Sequence, residues 1–362
     1  MTRGAAASPV RRCHSRGPHG ILRWLRLGLC AAPVLAALAS GSCGTSAGHE
    51  SVTTSAAPRI LLITAHPDDE TMFDLGRFRE RGWDVSVALV TNGENGQVVQ
   101  AVRDPYDPAS GDDILIEKLP GPGTWLTTPP QGPRLRKIRS PVALAEERRR
   151  EFIDSLSFYG VTRVFFLSGL QRADFEDSWD SGVSRWDKGL LAGRLEEVVR
   201  RARPDLIITL NPAETWAHLQ HWGLARIVQA LLEEGAFDVS GRPRPALYGI
   251  REDGWYKRSQ RAQPGDIELD RTAFSPVLGK TYAEYWKEAT SAYISQSSHP
   301  DWFAARVRAG ILPGYGAVDI IRLLEPGEGR PRLDVLLESS PPDSAAMARL
   351  PSIPAIMDLS GE

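Results

Sequence analysis

A chain of 362 residues with 42% hydrophobic and 24% charged content is ordinary for a soluble globular protein and long enough to bury a sizeable core. All three cysteines, Cys13, Cys30 and Cys43, fall in the first 43 residues, so the rest of the chain has no disulfide pair and excludes a crosslinked scaffold. The same stretch holds six arginines and no Asp or Glu; without it the formal charge moves from −2 to −8, with 37 basic against 45 acidic residues, which argues against nucleic acid or an anionic membrane surface as the main partner.

Taken in order, residues 1–43 read as an export signal, in which arginines precede the 14-residue apolar run "LGLCAAPVLAALAS". That run is too short to span a bilayer as a mature helix. In "SGSCG", Cys43 follows small residues as the lipid-carrying cysteine of a bacterial lipoprotein does, although Ser40 stands where Leu or Val is usual. The reading is a lipid anchor at Cys43, with ordinary cleavage at residues 39–42 as the alternative. Residues 44–57 read as a flexible linker.

From Pro58 strands and helices alternate. "RILLIT" (59–64), "DVSVALVT" (84–91), "RVFFL" (163–167), "DLIITL" (205–210) and "ALYGI" (246–250) are expected strands. Several are continuous apolar runs, as strands covered on both faces require. Helices are expected over residues 70–81, 143–159, 188–202 and 216–234. The pattern predicts a Rossmann-like α/β fold: a doubly wound, mostly parallel sheet with helices on both faces, over residues 58–324. Residues 97–141, dense in Pro and Gly, form a long insertion, either a substrate-contacting flap with Tyr106 and Trp125 or a plain surface excursion. Residues 325–362 read as a weakly ordered tail.

The chemistry concentrates at two strand ends. Four histidines remain beyond the leader and its flank: His66, His218, His221 and His299. "AHPDDE" follows the first strand, and "HLQH" opens the helix after the fourth, its i, i+3 spacing placing both rings on one face. A lone histidine at a strand end is more often structural, and Asp68 or Asp69 alone could cap a helix. Jointly they point to a shared metal site, suited to Zn²⁺, with Fe²⁺ or another divalent ion as alternatives. The turn after the first strand has no glycine-rich phosphate cradle, which argues against a dinucleotide.

"AHPDDE", then "TNGENG" after the second strand, then His-x-x-His at a helix start, resemble the LmbE-like or PIG-L family of zinc-dependent N-deacetylases. "RRREFIDSLSFYGVTRVFFL" and "KEATSAYISQ" extend the resemblance over roughly residues 58–300, outside the insertion. The resemblance implies an amidohydrolase, exported by the reading of the leader, that removes an N-acetyl or other N-acyl group from an amino-sugar conjugate, with His66, Asp69 and His221 as metal ligands. It implies Asp68 as the general base and His218 as a donor to the oxyanion that helps protonate the departing amine. The family usually places an acidic residue before the second ligand histidine; here Gln220 stands there, which puts a charged His218 in doubt and admits a non-catalytic carbohydrate- or metal-binding surface lipoprotein as the alternative. Glu94 is expected to orient a ligand or contact substrate, or simply to sit in a turn. His299 reads as a surface loop, and Trp216 as core packing or a sugar platform.

Overall fold

Eight strands build the central sheet: β1 (Arg59–Thr64), β2 (Asp84–Leu89), β3 (Arg163–Phe166), β4 (Leu206–Leu210), β5 (Ala246–Ile250), β6 (Ile267–Asp270), β7 (Val318–Glu325) and β8 (Ala355–Asp358). Their order is β6-β7-β5-β4-β1-β2-β3-β8. The five pairings from β5 through β8 by way of β1 are parallel, and β7 joins β5 and β6 antiparallel. The expected mostly parallel, doubly wound sheet is present. Because β1 neighbours both β2 and β4, the winding reverses beside β1, the place where such sheets open a crevice beyond their carboxyl ends.

The computed structural model describes residues 57–94, 100–101, 114–115, 117–118, 125–126, 141–178, 181–213, 218–251, 262–290, 292–293, 295 and 318–361. Cys43, Tyr106, Trp216 and His299 lie outside them, as does the side chain of Trp125. The insertion contributes two short antiparallel ladders, Gln100–Ala101 with Ile114–Leu115 and Glu117–Lys118 with Trp125–Leu126.

Continuity of the apolar strands follows from cover on both faces. Ile60, Leu62, Val85, Val87, Val164 and Phe166 pack with Phe73, Phe78, Trp83, Phe152 and Tyr285 on one side. Leu61, Ile63, Ala88, Phe165 and Ile207 pack with Leu191, Leu195, Val198, Leu224 and Val228 on the other. The helices are α1 (Gly76–Arg79), α2 (Pro141–Phe158), α3 (Lys188–Ala202), α4 (Leu219–Glu233), α5 (Tyr282–Thr290), α6 (Leu333–Ser339) and α7 (Ser344–Met347). Asp187 caps α3, its side chain accepting from Leu190 N at 3.0 Å.

Two expectations are corrected. Residues 70–81 do not form one helix: a 3₁₀ turn at Asp69–Met72 gives way to extended Phe73 before the short α1. The carboxylates of Asp69 and Glu70 turn inward onto backbone N–H groups, a local pairing that competes with a helix. Residues 325–361, expected as a weakly ordered tail, carry regular elements. Leu333 of α6 is buried and its N–H donates to Tyr248 Oη at 2.8 Å; Asp343 caps α7; and β8 adds in parallel to β3. Its Pro, Ser and Gly content hides these elements because each is too short to show a period.

Beneath the turn after β1 lies a fully buried ion pair. Arg271 Nη2 is 2.8 Å from Asp319 Oδ1 and its Nε donates to Oδ2 at 2.9 Å. Arg271 Nη2 and Trp286 Nε1 both donate to the Thr71 carbonyl, at 3.0 and 2.8 Å, tying the 3₁₀ turn to β7 and α5.

Candidate metal centre and active site

β1 delivers His66 to the crevice two residues past its end, and α4, following β4, delivers His221 from its first turn. His66 Nδ1 lies 2.9 Å from His221 Nε2. Asp69 faces both: Oδ1 is 3.0 Å from His221 Nε2, and Oδ2 is 3.5 Å from His66 Nδ1. Asp69 Oδ2 is also fixed from behind by the N–H groups of Ala65 and His66, at 2.9 and 2.8 Å. Thus His66, Asp69 and His221, 155 residues apart at the extremes, converge as expected.

The donor set fits a metal ion. Two imidazole nitrogens and a carboxylate point at one spot with spacings of 2.9–3.5 Å, and tetrahedral ligands about 2.1 Å from a zinc ion stand roughly 3.4 Å apart. Electrostatics agree. Burial pushes the Asp69 carboxyl up, but His221 and His66 outweigh it and hold the carboxyl well below its usual range. Burial would lower His66, yet Asp69 and Asp177 raise it well above its ordinary value. The cluster favours positive charge at this point, and a proton and a metal compete for it. His66, His218 and His221 also form a group whose ring nitrogens lie within 4.8 Å of one another. Asp69, at 3.0 Å from His221 Nε2 and 3.5 Å from His66 Nδ1, adds a carboxylate to the same cluster.

Asp68 sits between two of these residues on a backbone of φ 113°, the left-handed region that non-glycine residues rarely occupy. The turn is over-determined: Asp68 N donates to Glu70 Oε2 at 3.1 Å, while the Asp68 carbonyl accepts from Thr71 N and Oγ1 at 2.9 and 2.6 Å. Glu70 is itself held by Ser155 Oγ at 2.8 Å and by the Tyr293 hydroxyl. Burial, then the Asp69 charge, pushes the Asp68 carboxyl up to about 7, with Arg148, His66 and His221 opposing. A carboxylate poised there suits proton transfer near neutral pH.

His218 is the N-cap of α4, its Nδ1 accepting from Gln220 N at 3.2 Å, which leaves Nε2 to carry the proton. Burial, then the charges of His66 and His221, pulls its pKa down to about 3. The neutral ring is a hydrogen-bond donor rather than a stored acid.

Three neighbours escaped the sequence reading. Asp177, buried in the loop after β3, places Oδ1 3.4 Å from His66 Nε2. Gln220 was read only as a missing charge beside His218, yet its Oε1 lies 2.6 Å from His66 Nε2. Arg148 in α2 donates to the Gly93 carbonyl at 2.8 Å beneath the same turn. Only the "RRRE" run hinted at Arg148; an acid in a loop carries no periodic signal. Glu94 accepts from Asp177 N at 2.8 Å and so orients the loop that bears Asp177. Burial, then Asp177, pushes the Glu94 carboxyl up to about 7.

The family model for GlcNAc-PI de-N-acetylase, PIG-L, matches residues 61–232. A 1D-myo-inositol 2-acetamido-2-deoxy-alpha-D-glucopyranoside deacetylase of Rhodococcus opacus is 29% identical over 271 residues, 66% of this chain and 81% of its own. A relative of the same description from Saccharopolyspora erythraea is 26% identical over 173 residues, 47% of this chain and 52% of its own. The chain thus spans about half the length of some of the curated relatives it matches, 52% and 41% in two cases. Among solved structures, N,N'-diacetylchitobiose deacetylase from Pyrococcus horikoshii matches at a TM-score of 0.45 with 15% identity, covering 75% of this chain and 85% of that one.

Proposed function

We propose, from the match of residues 61–232 to the PIG-L family model, that the chain is a metal-dependent amidohydrolase that removes an N-acetyl, or other N-acyl, group from an amino sugar of the N-acetylglucosamine type. The observation that carries this reading is the convergence of His66 Nδ1, Asp69 and His221 Nε2 beside the strained, half-buried Asp68. His66, Asp69 and His221 would hold the ion, Zn²⁺ by donor chemistry, with Fe²⁺ or another divalent metal as alternatives. When bound, such an ion polarises the amide carbonyl and acidifies a water.

The chain's own groups do the rest. Asp68 takes the proton from the attacking water and returns it to the departing amine, so water and amide leave as carboxylate and amine. His218 Nε2–H donates to the oxygen that gains charge as the carbonyl carbon becomes tetrahedral, a role that a neutral ring fills. Substrate choice is assigned, within this proposal, to the Pro- and Gly-dense insertion 97–141.

The relatives named above deacetylate a 2-acetamido-2-deoxyglucoside of inositol, and that supports an amino-sugar glycoconjugate as substrate here. Export, with a lipid anchor at Cys43, rests on the arginine-then-apolar leader alone. Among the described residues no helix is long and apolar enough to cross a membrane. The alternative of a non-catalytic binder gains little from Asp68, because a strained carboxylate next to a ligand has no use in simple binding.

The deciding measurement is zinc per chain in the purified leader-less protein beside His221→Ala, followed by amine release from N-acetylglucosamine conjugates. One equivalent of zinc in the wild type, with affinity lost at least tenfold in the variant and amine released only by the former, is the expected result. A wild type that takes up no zinc when supplied with it would sink the reading.

A further inference from the structure

Gln220 is fully buried in the first turn of α4, where a polar side chain needs a partner for every group. On one side its Nε2 donates to the Glu176 carbonyl at 2.7 Å and reaches the Gly182 carbonyl at 3.4 Å. The Glu176 carbonyl is itself fixed by Trp186 Nε1 at 2.9 Å. A flipped amide would set its oxygen against two carbonyl oxygens, so the donor end is assigned by chemistry. The acceptor Oε1 then faces His66 Nε2 at 2.6 Å, and an acceptor there requires a hydrogen on that nitrogen.

We propose that Gln220 is a positioning residue for the metal centre: its amide, braced by Glu176 and Gly182, keeps the hydrogen of His66 on Nε2 and aims the bare Nδ1 lone pair at the spot shared by Asp69 and His221. This rests on the metal-centre reading above. Asp177 Oδ1, 3.4 Å from the same nitrogen, already supplies negative charge. A carboxylate in place of Gln220 would face that charge and, on its other side, the two carbonyl oxygens with no hydrogen to offer. A neutral amide alone both accepts from His66 and donates to the loop. Gln220 therefore does not mark a lost partner of His218; the residue serves a different histidine.

The test pairs the wild type with Gln220→Met, which keeps the length and removes both hydrogen-bonding ends. Long-range ¹H–¹⁵N correlation spectra of histidine-labelled protein read which ring nitrogen of His66 carries the hydrogen, and competition with a chromophoric chelator reads zinc affinity. A hydrogen on Nε2 in the wild type, with zinc held ten- to a hundredfold more weakly by Gln220→Met, is expected. Zinc held equally tightly by the variant, or a wild-type His66 with its hydrogen on Nδ1 alone, would overturn the proposal. Should the wild type bind no zinc, the metal-centre reading falls and the positioning role with it, whereas a hydrogen on Nδ1 alone in a protein that does bind zinc refutes the Gln220 contact by itself; that measurement needs no variant to fold.

Discussion

Asp68→Asn is expected to lower turnover by about 10²–10⁴-fold, the range that a positioned general base contributes, while zinc content stays at the wild-type level. Asparagine matches aspartate in shape and, like it, tolerates positive φ, so the turn at φ 113° survives and the bonds from Thr71 to the Asp68 carbonyl remain. His66, Asp69 and His221 are untouched, and only the capacity to take a proton is removed. Steady-state amine release together with metal analysis separates the roles. Full activity in Asp68→Asn would end the base assignment; loss of zinc along with activity would instead make Asp68 a ligand.

The second large effect is on stability. Arg271→Met leaves Asp319 buried without its partner and takes a donor from the Thr71 carbonyl. Breaking such a pair from one side costs about 3–5 kcal/mol, which for a domain of this size lowers the melting temperature by roughly 10 °C. Burial pushes the Asp319 carboxyl up to about 7 even with Arg271 beside it, so the unpaired acid would take up a proton and soften the loss. Adding Asp319→Leu removes the stranded acid and is expected to restore most of the stability, since apolar replacements of a buried pair are often neutral. Thermal and denaturant unfolding of the single and double variants measure both. A single variant within 1 kcal/mol of the wild type would show that the pair contributes little.

The sheet was legible because β1, β2, β4 and β5 are apolar runs between helices of recognisable period, and α3 matches its expected bounds of 188–202. The convergence of His66, Asp69 and His221 was legible because "HPDD" and "HLQH" fall at strand and helix ends that the topology brings together. What stayed hidden depends on partners distant in sequence. Nothing in "FEDSWD" announces that Asp177 approaches His66, since the loop has no period and the contact spans more than a hundred residues. Gln220 was misjudged for a related reason: sequence adjacency pairs it with His218, whereas the first turn of a helix directs its side chain across the crevice to His66. The ordered C-terminal segment was missed because four-residue β8 is recruited by the edge of β3 rather than by its own pattern.

The ends of the sheet bear on behaviour at high concentration. Among the described residues β6 and β8 are its outermost strands. β6 alternates buried Ile267 and Leu269 with exposed Glu268 and Asp270, so another chain approaching that edge meets like charge. β8 exposes Ile356 at 52%, but over only four residues, too short a ladder to template a growing stack. Charge protects one margin and brevity the other, and crowded copies gain little by merging their sheets.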